Sequence, residues 1–232
     1  MTLGMVFPTH GRSALPVACL LLVCLTACSS SRRETQADLP CDKTYVVASW
    51  YGAEFNGRPT SSGEIFNMHA MTCAHKKYPF GTKLKVTNVS NQKSVHCIVN
   101  DRGPFVEGRD LDMSYAAAKE IGLTALGTGR VMMEINGRDS SYIGKVKIQS
   151  GRNGPFAVQL GAFTDNSNAV RLKQALGFKY GNVYIQEAFT KGATFYRVRI
   201  GNFDNFGRAV SLAEDLGQEG YHPVVMKADA TI

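Results

Sequence analysis

Long apolar runs are almost absent from this 232-residue chain. The one stretch of consequence, ALPVACLLLVCL at residues 14–25, is too short to span a bilayer as a helix. Blocks of lysine and arginine are absent as well. The net charge of +7 is spread along the chain, without the clustered basic face that tracks nucleic acid, so no nucleic-acid partner is expected. Generic compatibility with anionic envelope polymers remains. Cysteine is scarce, with six residues and no CxxC spacing, which argues against a zinc site. Neither a metal nor a cofactor is predicted.

What is present begins with an export signal. Residues 1–27 carry a weakly basic start with His10 and Arg12, then the short apolar core. The core ends in Leu25-Thr26-Ala27-Cys28, which resembles a bacterial lipobox. The resemblance implies that Cys28 is lipidated and opens the mature protein, with an N-terminal lipid as its membrane attachment. Buried acyl chains contribute roughly 0.8 kcal/mol per methylene, so several chains anchor stably. Ser29 after the cysteine, with no Asp, implies the periplasmic face of the outer membrane. Residues 28–44 are polar and aperiodic and read as a tether.

Residues 45–136 are strand-like. The runs YVVASWY, KLKVTNV, SVHCIV and RVMMEI recur between Gly, Asn and Ser clusters. One helix signal interrupts them, with Ser114 before YAAAKEIGL and Gly122 as its stop. Many short strands with one small helix argue for a closed barrel. Of the cysteines, Cys19 and Cys24 leave with the signal, and Cys41, Cys73 and Cys97 remain beside Cys28. An exported location permits one disulfide. Cys73 with Cys97, on adjacent barrel segments, is one candidate pair, and buried free thiols are the alternative.

Residues 137–153 read as a linker, with room for a short strand at KVKIQ. Beyond it lies an internal repeat. FAVQLGAFTDNSNAVRLKQALG at 156–177 aligns without gaps on YRVRIGNFDNFGRAVSLAEDLG at 196–217. Each copy alternates as a strand and then spaces its apolar residues three and four apart as a helix. Strands near Val183–Gln186 and Pro223–Met226 complete a four-stranded sheet with two helices on one face, over residues 154–230. Alternation directs Phe156, Val158, Leu160, Tyr196, Val198 and Ile200 to the helices. It directs Ala157, Gln159, Arg197 and Arg199 to the uncovered side, a face suited to an oxygen-rich polymer.

In the barrel region polar groups stand at the ends of apolar runs beside turn residues. Glu64 lies in RPTSSGEIFN, His75 in MTCAHKKYPFGT and Asp101 in VNDRGPF. Singly, each has an ordinary explanation as a solvated carboxylate, a hydrogen-bonded histidine or a turn former. Together, all three are candidates for one rim.

The motifs SWYG, GE-F, AHK-PFGT, VNDRGPF and GR-LD-S resemble those of the rare lipoprotein A (RlpA) family, and the match covers residue 45 to about residue 135. The repeat is similar to a SPOR domain. The resemblance implies a six-stranded double-psi β-barrel followed by a ferredoxin-like βαββαβ domain, a β plus α+β architecture. It implies a lytic transglycosylase that cuts the β-1,4 bond between N-acetylmuramic acid (MurNAc) and N-acetylglucosamine (GlcNAc) in peptide-free, denuded peptidoglycan. The muramic 6-hydroxyl attacks its own anomeric carbon, so a single carboxyl serves as acid and then as base. This departs from paired-carboxylate hydrolases. By their motifs, Asp101 is the candidate acid/base, with Glu64 and His75 as its catalytic partners. Trp50 and Tyr51 are candidates for stacking on sugar rings, and Asn100 and Arg102 for binding sugar oxygens. In the SPOR-like domain, whose relatives bind denuded strands at the division septum, Gln159, Arg197 and Arg199 are the candidate binders. Division proteins are further candidate partners. The alternatives are a glycan-binding structural lipoprotein without catalysis, or a hydrolase. Near Glu64 the chain departs from the family pattern at Asn56, Ser61, Ser62 and Asn67, and Gly161 stands where a Ser is also common. These changes bear on substrate preference, rate and affinity.

Overall fold

A computed structural model describes residues 43–149, 153–190 and 192–228. The signal, Cys28, the tether through residue 42 and Cys41 lie outside the described residues. Among the described residues no helix is long and apolar enough to cross a membrane.

Six strands close into a barrel: β1 Thr44–Trp50, β2 Thr72–His75, β3 Thr82–Asn88, β4 Ser94–Asp101, β5 Leu111–Met113 and β6 Thr128–Arg138. Their order around the barrel is β1-β5-β2-β4-β3-β6, with β6 returning to β1. Two of the pairings are parallel, β1 with β5 and β2 with β4, and the rest are antiparallel. Parallel neighbours need long connections. From β1 to β5 the connection is the segment 51–110, whose first part carries Glu64, and from β2 to β4 it is the segment 76–93 that contains β3. The interior is filled by Ala48, Cys73, Leu84, Val86, Val99, Leu111, Met113, Val131 and Met133, all buried. Cys73 and Cys97 form a disulfide between β2 and β4 with their Cα atoms 5.9 Å apart. Helix α1, Tyr115–Glu120, starts where Ser114 Oγ accepts from the Ala117 amide at 3.2 Å. Ile121 and Leu123 behind it are buried against the barrel.

The second domain runs β8 Phe156–Phe163, α2 Asn166–Gly177, β9 Val183–Thr190, β10 Ala193–Phe203, α3 Phe206–Gln218 and β11 Val224–Lys227. The repeat copies cap their helices at equivalent places. Asp165 Oδ1 accepts from Ser167 N and Asn205 Oδ1 from Arg208 N. Ala169, Leu172, Leu176, Ala209, Ala213 and Leu216 bury against Phe156, Val158, Val198 and Ile200.

Two expectations need correction. The segment 137–153 is not a free linker throughout. Strand β6 continues through Arg138, a 3-10 turn follows at Ser140–Tyr142, and the short strand for which KVKIQ left room is the two-residue β7, Lys147–Ile148, which adds in parallel to β11. The sheet is therefore five-stranded, in the order β7-β11-β8-β10-β9. The sheet face away from the helices is also not open throughout. Ala157 is buried, and Arg199 is 0% exposed. Arg199 Nε donates to Gln159 Oε1 at 3.3 Å and its Nη1 donates to Gln186 Oε1, so amides on β8 and β9 close over the guanidinium.

The domains meet. Phe80 N donates to the Glu219 carbonyl at 2.9 Å, Gly144 N to the Gly217 carbonyl at 2.9 Å, and the Arg138 guanidinium to the Gln218 carbonyl. Tyr221, buried, sets its ring against Phe80 with centroids 5.0 Å apart.

Candidate active site at the end of strand β4

Strand β4 carries the apolar run Cys97-Ile98-Val99 and ends in Asn100 and Asp101, both buried yet still in the ladder. Asp101 stands opposite Ala74 of β2. Its carboxylate is fully engaged. Oδ1 accepts from the amides of Ser61 at 2.8 Å and Arg102 at 2.7 Å, and Oδ2 accepts from Tyr51 Oη at 3.3 Å. Only 5% of the residue is exposed.

Glu64 reaches the same place on a loop. Asn100 Nδ2 donates to Glu64 Oε2 at 2.7 Å, and the Ser62 amide donates to the Asn100 carbonyl at 3.3 Å. With the Ser61 bond to Asp101, three contacts lay residues 60–64 over the strand end. Thr60 ties the loop to itself through its amide and hydroxyl, both donating to the Glu64 carbonyl. Asp101 and Glu64, 37 positions apart, thus share one small region through Asn100 and Ser61.

His75 lies on the neighbouring strand, one residue beyond Ala74. Its Nδ1 accepts from the amides of Lys77 at 3.1 Å and Tyr78 at 3.0 Å, and its ring stacks on Tyr78 with centroids 3.9 Å apart. Burial first, then the Arg102 charge, lowers its pKa to about 4. Among the described residues no hydrogen bond joins His75 to Asp101 or Glu64.

The other sequence candidates fall less neatly. Tyr51 packs between Phe55 and Phe66, so its ring serves the packing while its hydroxyl serves Asp101. Burial, then the charges of Asp101 and Asp112, push that hydroxyl well above its ordinary pKa and keep it a donor. Trp50 is half-buried, edge-on to Tyr115. Arg102 requires correction as a sugar binder. It is 2% exposed, its Nε donates to Tyr221 Oη at 2.8 Å, its Nη1 donates to the Tyr78 carbonyl at 2.9 Å, and its guanidinium lies over Phe80. The residue links barrel to second domain. Gln159 and Arg197 are half-buried on the sheet described above. Among the described residues no three His, Cys, Asp or Glu side chains gather as a metal site.

Sequence reasoning overlooked Asp112. It sits on β5 opposite Ser49 of β1, and Ser49 Oγ donates to its Oδ1. Burial raises its pKa, opposed by the Ser49 bond and Arg109, with Asp101 adding to the rise. Gly103, at φ 140°, turns the chain beside this group. A Cβ there would lie 3.7 Å from Tyr51 Oη and 3.8 Å from Asp112 Oδ2. The available signal was the GR-LD-S motif, whose one inward carboxylate stands in an otherwise apolar three-residue strand.

Chemically, the site offers two buried carboxyls, one tyrosine donor and a carboxylate on a covering loop, which is a set suited to moving protons. Comparisons with known proteins bear on which reaction. A family model described as lytic transglycolase matches residues 43–133, and a SPOR domain model matches residues 152–227. The endolytic peptidoglycan transglycosylase RlpA of Vibrio cholerae is 36% identical over 181 residues, covering 78% of this chain and 67% of that protein. The protein of the same name from Pasteurella multocida is 36% identical over 195 residues, 80% of this chain and 62% of that one. That of Campylobacter jejuni is 42% identical over 139 residues, 53% of this chain and 50% of that one. The chain thus spans between half and two thirds of these relatives. Among solved structures, an apo expansin of Clavibacter michiganensis aligns at 15% identity with a TM-score of 0.35, over 71% of this chain and 81% of that one.

Proposed function

We propose that this chain, which belongs to the family of the endolytic peptidoglycan transglycosylase RlpA, is a lytic transglycosylase acting on denuded glycan, with Asp101 as its acid/base. The observation that carries the reading is the meeting of Asp101 with the Glu64 loop at the end of β4, through Ser61 and Asn100. Asp101 gives its proton to the leaving GlcNAc 4-oxygen as the bond to the MurNAc anomeric carbon breaks. The MurNAc 6-hydroxyl closes on that carbon and returns a proton to the carboxylate. One bond forms, one breaks, and water takes no part. Glu64 and Asn100 hold a sugar beside the reacting bond. Asp112, raised in pKa next to Asp101, is a second proton holder. His75 acts by position, fixing the 76–78 turn whose Tyr78 carbonyl holds Arg102 behind Asp101. Substrate reaches Asp101 when the 60–64 loop lifts and Ser61 releases Oδ1.

Residues 45–136 are the cutting unit and residues 154–230 the holding unit. In this reading the SPOR domain keeps the barrel on denuded strands at the septum, raising local substrate concentration without new contacts. A lipid on Cys28 ties the chain to the outer membrane, facing the periplasm and the division proteins.

The test is digestion of peptide-free glycan followed by mass spectrometry. Ends lighter by one water than a hydrolysis product are expected, and Asp101→Asn is expected to slow their release roughly 10²-fold or more. Reducing ends alone, or an Asp101→Asn variant as fast as wild type, would discard the mechanism. One observation favours a second reading, a glycan-holding protein without catalysis: Asp101 is almost wholly covered. That reading expects strand pull-down with no new ends of either kind.

A further inference from the structure

A cleft of about 150 Å³ lies beside the Glu64 loop, lined by Ser62, Glu64, Ser141, Tyr142, Gly220 and His222. Only the first two belong to the barrel segment that the family model matches. Ser141 and Tyr142 come from the 3-10 turn that follows β6, and Gly220 and His222 from the second domain. Glu64 is held by Asn100 Nδ2 at 2.7 Å and still lines the cleft, together with Tyr142. Burial and Glu64 together raise the Tyr142 pKa, so its hydroxyl keeps its proton. Gly220 permits the close approach. At φ 99°, a Cβ there would lie 2.8 Å from Phe80 Cβ and 2.9 Å from the Tyr142 carbonyl. Two residues on, His222 is exposed at the cleft.

The lining mixes a carboxylate, a phenol, an imidazole and two hydroxyls, and no Lys or Arg is among it. Such a set matches a neutral polyhydroxyl ring, which both donates and accepts, and lacks the cations a phosphate would require. We infer that this cleft is a sugar subsite built jointly by the two domains, in which Tyr142 and His222 bind one pyranose of the glycan strand next to Glu64. The inference rests on the glycan reading above and extends it. The second domain would then contribute to the substrate site directly, beyond keeping the barrel on its strands.

The test uses binding, so that it does not depend on cleavage. The full chain is titrated with the disaccharide GlcNAc-MurNAc, which lacks the MurNAc–GlcNAc bond, and imidazole resonances are followed by NMR. The His222 signal, identified by its loss in His222→Asn, should move to saturation while those of exposed His69 and His96 stay. Tyr142→Phe, which keeps the ring, should weaken the Kd read at His222 about tenfold, as loss of one hydrogen bond to substrate predicts. A stationary His222 signal, or an unchanged Kd in Tyr142→Phe, would overturn the subsite. If His222 moves but no anhydro ends form in the digestion, the subsite stands and the lytic reading falls. Anhydro ends with a stationary His222 give the reverse.

Discussion

The Nδ1 atom of His75 accepts two backbone hydrogen bonds, so its ring is neutral with the remaining proton on Nε2. Protonating Nδ1 would break both bonds and place a cation near Arg102. Burial, which disfavours the charged ring, and then the Arg102 charge hold the folded-state pKa near 4, below the ordinary 6.5. Above pH 6.5 neither folded nor unfolded chain holds the extra proton. As pH falls from 6.5 toward 4 only the unfolded chain takes it up, and stability declines until the folded chain protonates too. At pH 5 the loss from this group is about 2 kcal/mol. His75→Asn keeps an oxygen acceptor near the two amides and removes the titration. Urea unfolding at pH 7 and pH 5 should therefore show wild type losing about 2 kcal/mol more than His75→Asn. Parallel losses in the two proteins would mean that His75 is not held neutral. A second residue-scale expectation concerns Tyr51. Tyr51→Phe leaves the Phe55 and Phe66 packing and removes only the donor to Asp101 Oδ2, so glycan turnover should fall while the melting temperature barely changes. Equal turnover would assign Tyr51 to packing alone.

At the scale of elements, β1, β3, β4 and β6 were legible because each is a β-branched or aromatic run closed by turn residues. The two repeat helices were legible from their spacing, and α1 from the Ser114 cap. Strands β2 and β5 were not. They are four and three residues long, too short to display alternation, and are strands because each is paired on both sides. The fifth strand of the second sheet was blurred for the same reason. Alternation reports which side a residue faces but not what lies over it, which is why Arg199 read as an accessible cation, and the motif that offered Arg102 is equally silent on burial. Run-end chemistry offered Glu64, His75 and Asp101 together; the strand end gathers Asp101 and the Glu64 loop through Ser61 and Asn100, while His75 is engaged by the amides of its own turn. Asp112 escaped because nothing local distinguishes a buried strand carboxylate from a solvated one. The disulfide between β2 and β4 belongs to this scale. It closes a loop of sequence separation 24, for which chain entropy predicts a stabilisation of about 3 kcal/mol. The double variant Cys73→Ala, Cys97→Ala should lose about that amount in urea unfolding. A wild-type midpoint would place the strand pairing entirely in the ladder and core.

At the scale of the molecule, the seam between the domains is organised around Tyr221. Its ring meets Phe80, its hydroxyl accepts from Arg102, and backbone bonds from Phe80 and Gly144 flank it. On another side Phe105, just past the VNDRGP turn, stacks parallel to Phe178 with centroids 6.1 Å apart. Buried residues of the barrel and of the second domain form one continuous apolar cluster. A shared core predicts shared cooperativity, so wild type should melt in one calorimetric transition. Tyr221→Ala removes a buried ring, at about 3–5 kcal/mol, and takes from Arg102 its Nε partner. The expected result is two transitions, one for each domain. Tyr221→Phe keeps the ring and loses only the bond to a charged donor, roughly 1.5–3 kcal/mol, and should still melt as one. Arg102 follows Asp101 and His222 follows Tyr221, so loosening the seam acts on both ends of the proposed site. Tyr221→Ala should therefore lose the His222 response to disaccharide as well as its single transition. A Tyr221→Ala protein that melted once, at the wild-type temperature, would show that the domains fold without help from the seam, and the jointly built cleft would lose its physical basis.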